Sequence, residues 1–238
     1  MTAVGSVSED HRPRHKRLRW ISAAVGLAVA LTSGTVAIAA PAYACDNNNH
    51  CYALASYTQS NLLGTHATIA PLSPYLVTSS GNFTTDEVWL VASSPSYWVE
   101  VGYIANQGNI NGVGQGISEF WFDSRPGGGA HGHVLASAPS LTARTFYIMR
   151  GSSTSTSYDV GDGSLSATST SDTSPLVNAE IGSETISNTS CSWAHDYSMS
   201  YSTGSGWVAF PSAHFNTDSP QKLTWISSPT NMDAGVPC

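Results

Sequence analysis

Ser96-Tyr-Trp-Val-Glu-Val-Gly-Tyr103 and, beyond a Gly/Asn/Gln-rich loop, Glu119-Phe-Trp-Phe-Asp-Ser-Arg-Pro-Gly-Gly-Gly-Ala-His-Gly-His133 are the stretch on which this 238-residue chain turns. Both runs are dense in aromatic and β-branched residues, which suit strands, and the glycines between and after them suit turns. Side chains alternate faces along a strand. Tyr97, Val99, Val101 and Tyr103 therefore share one face, and Trp98, Glu100 and Gly102 the other. In the second run Phe120 and Phe122 oppose Glu119, Trp121 and Asp123. If the apolar sides form a common core layer, the opposite face presents Trp98, Glu100, Trp121, Glu119 and Asp123 together. That predicts a ligand-binding face, with Gly102 leaving room beside Glu100.

Outward from this stretch the pattern repeats. Asp86–Ala92, Val134–Ala138, Arg144–Arg150, Ala179–Ile186, Ser192–Tyr201, Gly206–Phe210 and Leu223–Ile226 read as further strands, and Tyr75–Thr78 as a short one. Tyr52–Tyr57 is open to a strand or a helical turn, and Pro71 and Pro74 interrupt whatever precedes them. The Ser/Thr/Gly/Asp-rich segment 151–174 reads as a polar hairpin, Ser155–Asp159 and Ser164–Thr170, around Gly161-Asp-Gly. A flexible linker there would leave a C-terminal piece too small to core alone. With no amphipathic helix in view, the expected fold is all-β: an antiparallel two-sheet sandwich or jelly roll.

The N-terminus follows different rules. Arg12, Arg14, Lys16, Arg17 and Arg19 precede an apolar run, and Ala42-Tyr43-Ala44 offers a small-x-small cleavage site, so residues 1–44 read as a secretory signal peptide. Removing 44 of 238 residues leaves 194, the size of one domain, 45–238. Lys plus Arg then falls from 9 to 4 and Asp plus Glu from 16 to 14, a balance of about −10. So few cations exclude nucleic acid and anionic membrane surfaces as partners. Export implies an oxidising compartment, and the four cysteines are expected to pair as Cys45–Cys51 and Cys191–Cys238. The mature protein is expected to be a secreted monomer.

The acids suggest chemistry. Trp98-Val-Glu-Val-Gly-Tyr103 followed by Glu119-Phe-Trp-Phe-Asp123 resembles the first active-site segment of the neprosin-like glutamic peptidases. Glu180-Ile-Gly-Ser-Glu184-Thr resembles that family's second segment. The motifs are also similar to those of small secreted bacterial proteins of unassigned activity. The sequence departs from neprosins in lacking their cysteine-rich stretches and in carrying Ile181 where they have Trp. The resemblance implies a β-sandwich peptidase with Glu100 and Glu184 as its catalytic pair. Physically, two neighbouring carboxyls can activate water and protonate a leaving amine, because like charge keeps one of them protonated. Such a coupled pair implies an acid optimum.

A rival reading uses the same face without catalysis. Trp98 and Trp121 could stack pyranose rings while Glu119 and Asp123 bond hydroxyls, with Trp193 and Trp207 as extensions. That would make the protein a carbohydrate- or cell-wall-binding module, and the partner a polysaccharide instead of a peptide. Carboxylates on that face could also form a glycosidase pair. His131 and His133 have a spacing that a metal could use, but with no evident third ligand no metal or other cofactor is expected.

Overall fold

In a computed structural model, the structure describes residue 45 and residues 50–73, 75–94, 96–125, 129–171, 173–186 and 190–237. The expected leader, residues 1–44, lies outside the described residues. In chain order the strands are β1 (Cys51–Leu62), β2 (Gly64–Pro71), β3 (Phe83–Ala92), β4 (Trp98–Asn106), β5 (Gly116–Arg125), β6 (Gly129–Ser137), β7 (Arg144–Arg150) and β8 (Ser157–Gly161). They continue with β9 (Ser166–Thr170), β10 (Leu176–Thr185), β11 (Ser192–Ser202), β12 (Trp207–Ala209), β13 (His214–Thr217), β14 (Lys222–Trp225) and β15 (Asn231–Val236). One turn of 3-10 helix, Ser228–Thr230, is the only helix among the described residues.

The strands form two antiparallel sheets. One has seven strands in the order β13-β1-β10-β3-β4-β5-β6, the other eight in the order β14-β15-β11-β2-β7-β8-β9, with β12 paired to β11. The expected sandwich is therefore the fold. Its core lies between the sheets: Ala53, Val88, Leu90, Val99, Val101, Tyr103, Ala179 and Ile181 from the first meet Ala67, Ile69, Phe146, Ile148, Val160 and Ala194 from the second. Alternation explains this, since each of these strands turns every second residue inward.

The polar segment 151–174 is a hairpin, β8–β9, but it is not peripheral. Tyr158 and Val160 are buried in the core, and Arg150 at the end of β7 anchors the segment from inside. Its guanidinium donates to the carbonyls of Ser152 (2.8 Å), Ser153, Thr173 (3.2 Å) and Ser174 (2.8 Å) and to the Tyr158 hydroxyl (3.0 Å). A charge 1% exposed is tolerable only because its N–H groups find acceptors. Tyr75–Thr78 is a single bridge, Leu76 to Cys191, and not a strand. Cys45 and Cys51 form the expected disulfide. Cys191 is also disulfide-bonded; its expected partner, Cys238, lies outside the described residues.

A second, smaller apolar cluster sits on the outer face of the seven-stranded sheet. Phe83, Ile104, Phe120 and Phe122 point outward there and are covered by Val113 and Ile110 from the β4–β5 loop. That loop is held down by the Gly132 N–H, which donates to the Asn111 carbonyl at 2.7 Å. A Cβ on Gly132 would sit 2.1 Å from the Phe122 ring, so only glycine lets β6 pass under it. The folded-over loop turns a flat sheet face into one wall of a cleft.

Candidate active site

The cleft opens on that outer face, with a volume of about 660 Å³. Its position follows from register. Trp89 on β3 is paired on one side with Glu100 of β4 and on the other with Glu180 of β10. Directly opposed residues share a face, so one row across three strands reads Glu180, Trp89, Glu100. Two positions along the strands, Glu87 lies between Gly102 and Gly182, and two further, Thr85 is paired with Glu184, which faces Tyr52 of β1. Trp89, Trp98, Glu100, Glu180, Glu184 and His50 all line the cleft.

Glu100 is the most constrained of these acids. The indole N–H groups of Trp89 (2.5 Å) and Trp98 (2.9 Å) both donate to its Oε2. The carboxyl is 6% exposed. Burial, reinforced by the nearby charge of Glu184, pushes it up to about 8, while the two indole bonds act in the opposite direction. Glu100 is therefore a protonated acid at neutral pH. Because two donors occupy Oε2, the proton resides on Oε1.

The other acids differ from it and from each other. Glu184 is engaged by His50, whose Nδ1 contacts Glu184 Oε1. His50 is fixed by being next to disulfide-bonded Cys51 and by an edge-on contact with Phe83, ring centroids 5.7 Å apart. Glu180 is half-buried, and its carboxyl accepts a 3.3 Å bond from Asn178 Nδ2. Burial raises it above the usual carboxylate range. Glu87 lies beside the row on the same face, fully buried, with its Oε1 bonded to the Thr85 hydroxyl.

Of the residues expected on the binding face, Trp98 and Glu100 are there, and Glu184 is brought to the same cleft. Trp121, Glu119 and Asp123 are not. The β4–β5 register pairs Glu100 with Phe122, and Val101 with Trp121, so the phenylalanines share the cleft face and the other three point the opposite way. The expectation had the parity of β5 reversed, because composition alone does not reveal which face of an aromatic strand pairs with which. Trp121 stacks on His133, centroids 4.5 Å apart and 12° between planes. Glu119 forms an ion pair with Arg144 at 2.9 Å. Asp123 accepts a 2.5 Å bond from Ser169 and so ties β5 to β9 of the other sheet. These three are structural, and a shared Trp98/Trp121 sugar platform does not exist.

His133 also approaches Asp123, at 3.8 Å. Among the described residues no group of three or more His, Cys, Asp or Glu could hold a metal ion. Nor does any described helix have the length and apolarity to cross a membrane. Sequence reasoning missed Glu180, Trp89, Glu87 and His50. For Glu180 the signal was present, since Glu180 and Glu184 are four apart on a strand and must point the same way.

A second hollow, about 740 Å³, lies on the eight-stranded sheet between His66, Tyr147, Asp159 and Trp207. Among the described residues Asp159 is the only carboxylate lining it, so those residues offer no acid pair.

No protein-family model matches the chain, and no curated protein does. Solved structures do. Scytalido-glutamic peptidase with a transition state analog inhibitor is similar at 12% identity, TM-score 0.53, over 77% of this chain and 97% of that one. The same peptidase with a peptide-based transition state analog is similar at 12% identity, TM-score 0.50, over the same shares. At such identity the likeness is one of architecture, and in architecture this chain resembles the glutamic peptidases.

Proposed function

We propose that the protein is an exported, monomeric peptidase, with residues 1–44 as its removed leader and residues 45–238 as its single domain, cleaving peptide bonds at weakly acid pH. The observation that carries this reading is the row Glu180–Trp89–Glu100: a protonated acid and a second carboxyl flank one indole on the floor of a cleft. The solved peptidases of the same architecture are recorded with transition state analogs, which supports a peptide as the substrate here.

In the proposed reaction the scissile peptide lies over Trp89. The Glu180 carboxylate takes a proton from water as the water oxygen attacks the carbonyl carbon. Glu100 Oε1–H gives its proton to the amide nitrogen, and the C–N bond breaks to release an amine and a carboxylic acid. Glu184, whose charge helps to keep Glu100 protonated, sets the field of the site. The roles divide this way because His50 occupies Glu184, whereas Glu180 opens to the cleft. Glu100 with Glu184 as the working pair is the alternative assignment of the same site.

Digestion of casein from pH 3 to 7 by wild type and by the Glu100→Gln, Glu180→Gln and Glu184→Gln variants tests both. Glu100→Gln and Glu180→Gln are expected to lose roughly 10²- to 10⁴-fold in kcat, the usual worth of a positioned acid or base. Glu184→Gln should retain activity with an altered pH profile. Loss in Glu184→Gln with retention in Glu180→Gln reassigns the base to Glu184, and an active Glu100→Gln removes the peptidase reading.

A further inference from the structure

Each turnover of the proposed peptidase leaves Glu100 without its proton and Glu180 with an extra one. Glu180 is open to the cleft and returns its proton to water. Glu100 lines the same cleft but is nearly sealed: Trp89 and Trp98 cover Oε2, and a bound product covers Oε1 until it leaves. Reprotonation of Glu100 while product is still bound therefore needs a route through the protein.

We infer that Glu87, buried beside the cleft floor on the same sheet face, is the proton store that recharges Glu100, and that Glu184 and His50 connect it to solvent. The inference rests on the peptidase reading above. Three geometric facts carry it. First, Glu87 is opposite Gly102 on one side and Gly182 on the other, which makes it the diagonal neighbour of Glu100 on β4 and of Glu184 on β10. Diagonal partners of this kind are within reach of long side chains. Second, its space is built. A Cβ on Gly102 would lie 2.7 Å from Glu87 Cβ and 2.2 Å from the Asp86 carbonyl oxygen, so the glycine that follows Glu100 in sequence is what lets Glu87 lie beside it. Third, Glu87 is half-satisfied: Oε1 is held by Thr85, while Oε2 is buried without a hydrogen-bond partner. A carboxyl that is 0% exposed with a free oxygen is stable as the neutral acid. Its proton is then available on the unheld side.

The outer end is equally specific. Glu184 Oε1 contacts His50 Nδ1, and the His50 side chain is 28% exposed. Imidazole exchanges protons with water near neutral pH. By register the acids diagonal to Glu87 are Glu100, Glu180 and Glu184, with His50 behind Glu184; those whose charges act on it are Glu100, Glu184 and its chain neighbour Asp86. The proton balance closes: Glu87 gives its proton to Glu100, His50 gives its Nδ1 proton to the Glu184 carboxylate, Glu184 passes that proton to Glu87, and His50 takes its replacement from solvent. Burial and the charges of Glu100 and Glu184 hold Glu87 well above the usual carboxylate range, consistent with a stored proton.

The test has a spectroscopic arm and a kinetic arm. The wild-type-minus-Glu87→Gln infrared difference spectrum at pH 7 should show the loss of one protonated-carboxyl C=O band while those of Glu100, Asp86 and Asp196 remain; a difference spectrum with no such band overturns the inference. Glu87→Gln should lower kcat roughly 10- to 100-fold with KM unchanged and enlarge the solvent isotope effect. His50→Ala should do the same and recover with added imidazole, a rescue that a packing defect does not give. That variant carries the kinetic arm if Glu87→Gln fails to fold. Glu100→Gln dead with Glu87→Gln and His50→Ala at full kcat sinks the store alone. Glu100→Gln active sinks the peptidase and the store with it.

Discussion

Trp89 and Glu100 face each other across neighbouring strands, and the indole N–H of one donates to the carboxyl of the other at 2.5 Å. The bond favours the ionised form of Glu100, opposing the burial that raises it. Trp89→Phe keeps the ring and removes the donor. The alkaline limb of activity, set by Glu100 at about 8, should then move to higher pH. The protein should lose about 1 kcal/mol of stability or somewhat more, as for one buried bond to a polar group. A pH–rate profile and a denaturant titration read both. An unchanged alkaline limb would mean that Glu100 does not set it.

Stability should fall as pH rises. Asp86, pushed up to about 8 by burial, and Glu100, also about 8, retain protons in the folded chain that the unfolded chain has lost. Asp196 and Glu87 are raised as well, chiefly by burial. For acids shifted upward the unfolded state binds fewer protons, so their stabilising contribution is present below the ordinary carboxylate range near 4 and is lost as pH climbs towards 8. Thermal denaturation at pH 4, 6 and 8 should therefore give successively lower midpoints. Asp86→Asn should flatten the trend. A midpoint that rises from pH 4 to 8 would contradict the buried-acid account.

Gly102→Ala should be among the worst single substitutions in the protein. Its Cβ would meet backbone on β3 at 2.2 Å, which no side-chain rotation relieves. Overpacking of this kind costs about 1–3 kcal/mol, and here it also displaces Glu87 and the strand bearing Glu100. Chemical denaturation should show the loss, and peptidase activity should fall with it. Ala at Gly151, which has nothing within 4 Å of a Cβ, is the control and should behave as wild type.

Arg150→Leu fills a comparable volume but leaves its carbonyl acceptors buried and unpartnered. A loss of about 3–5 kcal/mol is expected, the scale for breaking a buried charged network. Proteolysis should then cut first within residues 151–174, the segment the guanidinium anchors. Cleavage elsewhere would mean that the hairpin holds without it.

Most of the sandwich was legible because most strands declare themselves by alternation and turn chemistry. Val99, Val101 and Tyr103 read as a core face and are one. The strands that escaped have reasons to. In β2 the inward Ala67 and Ile69 alternate with His66 and Thr68, too weak a contrast to stand out, and β13 is only four residues long. The site was half legible. Glu100 and Glu184 are marked by their local motifs, but Glu180 needed the register across three strands, and His50 needed a contact 134 residues distant in sequence. Asp123 and Glu119 were misplaced because the same residues that decorate a ligand face can instead staple two sheets.

The sheet orders carry a kinetic consequence. β1 pairs only with β10 and β13, and β2, though it meets β7, has β11 as its other partner, so both strands complete their pairing only once about two hundred residues are available. Pairings so remote in sequence close late and slowly. An N-terminal fragment holds the β3-β4-β5-β6 and β2-β7-β8-β9 segments, but neither sheet is complete until β13, β14 and β15 emerge. Refolding from denaturant should accordingly be slow and concentration-sensitive, since strand edges wait exposed in the meantime. The export proposed above, which requires an unfolded chain, would benefit from that delay.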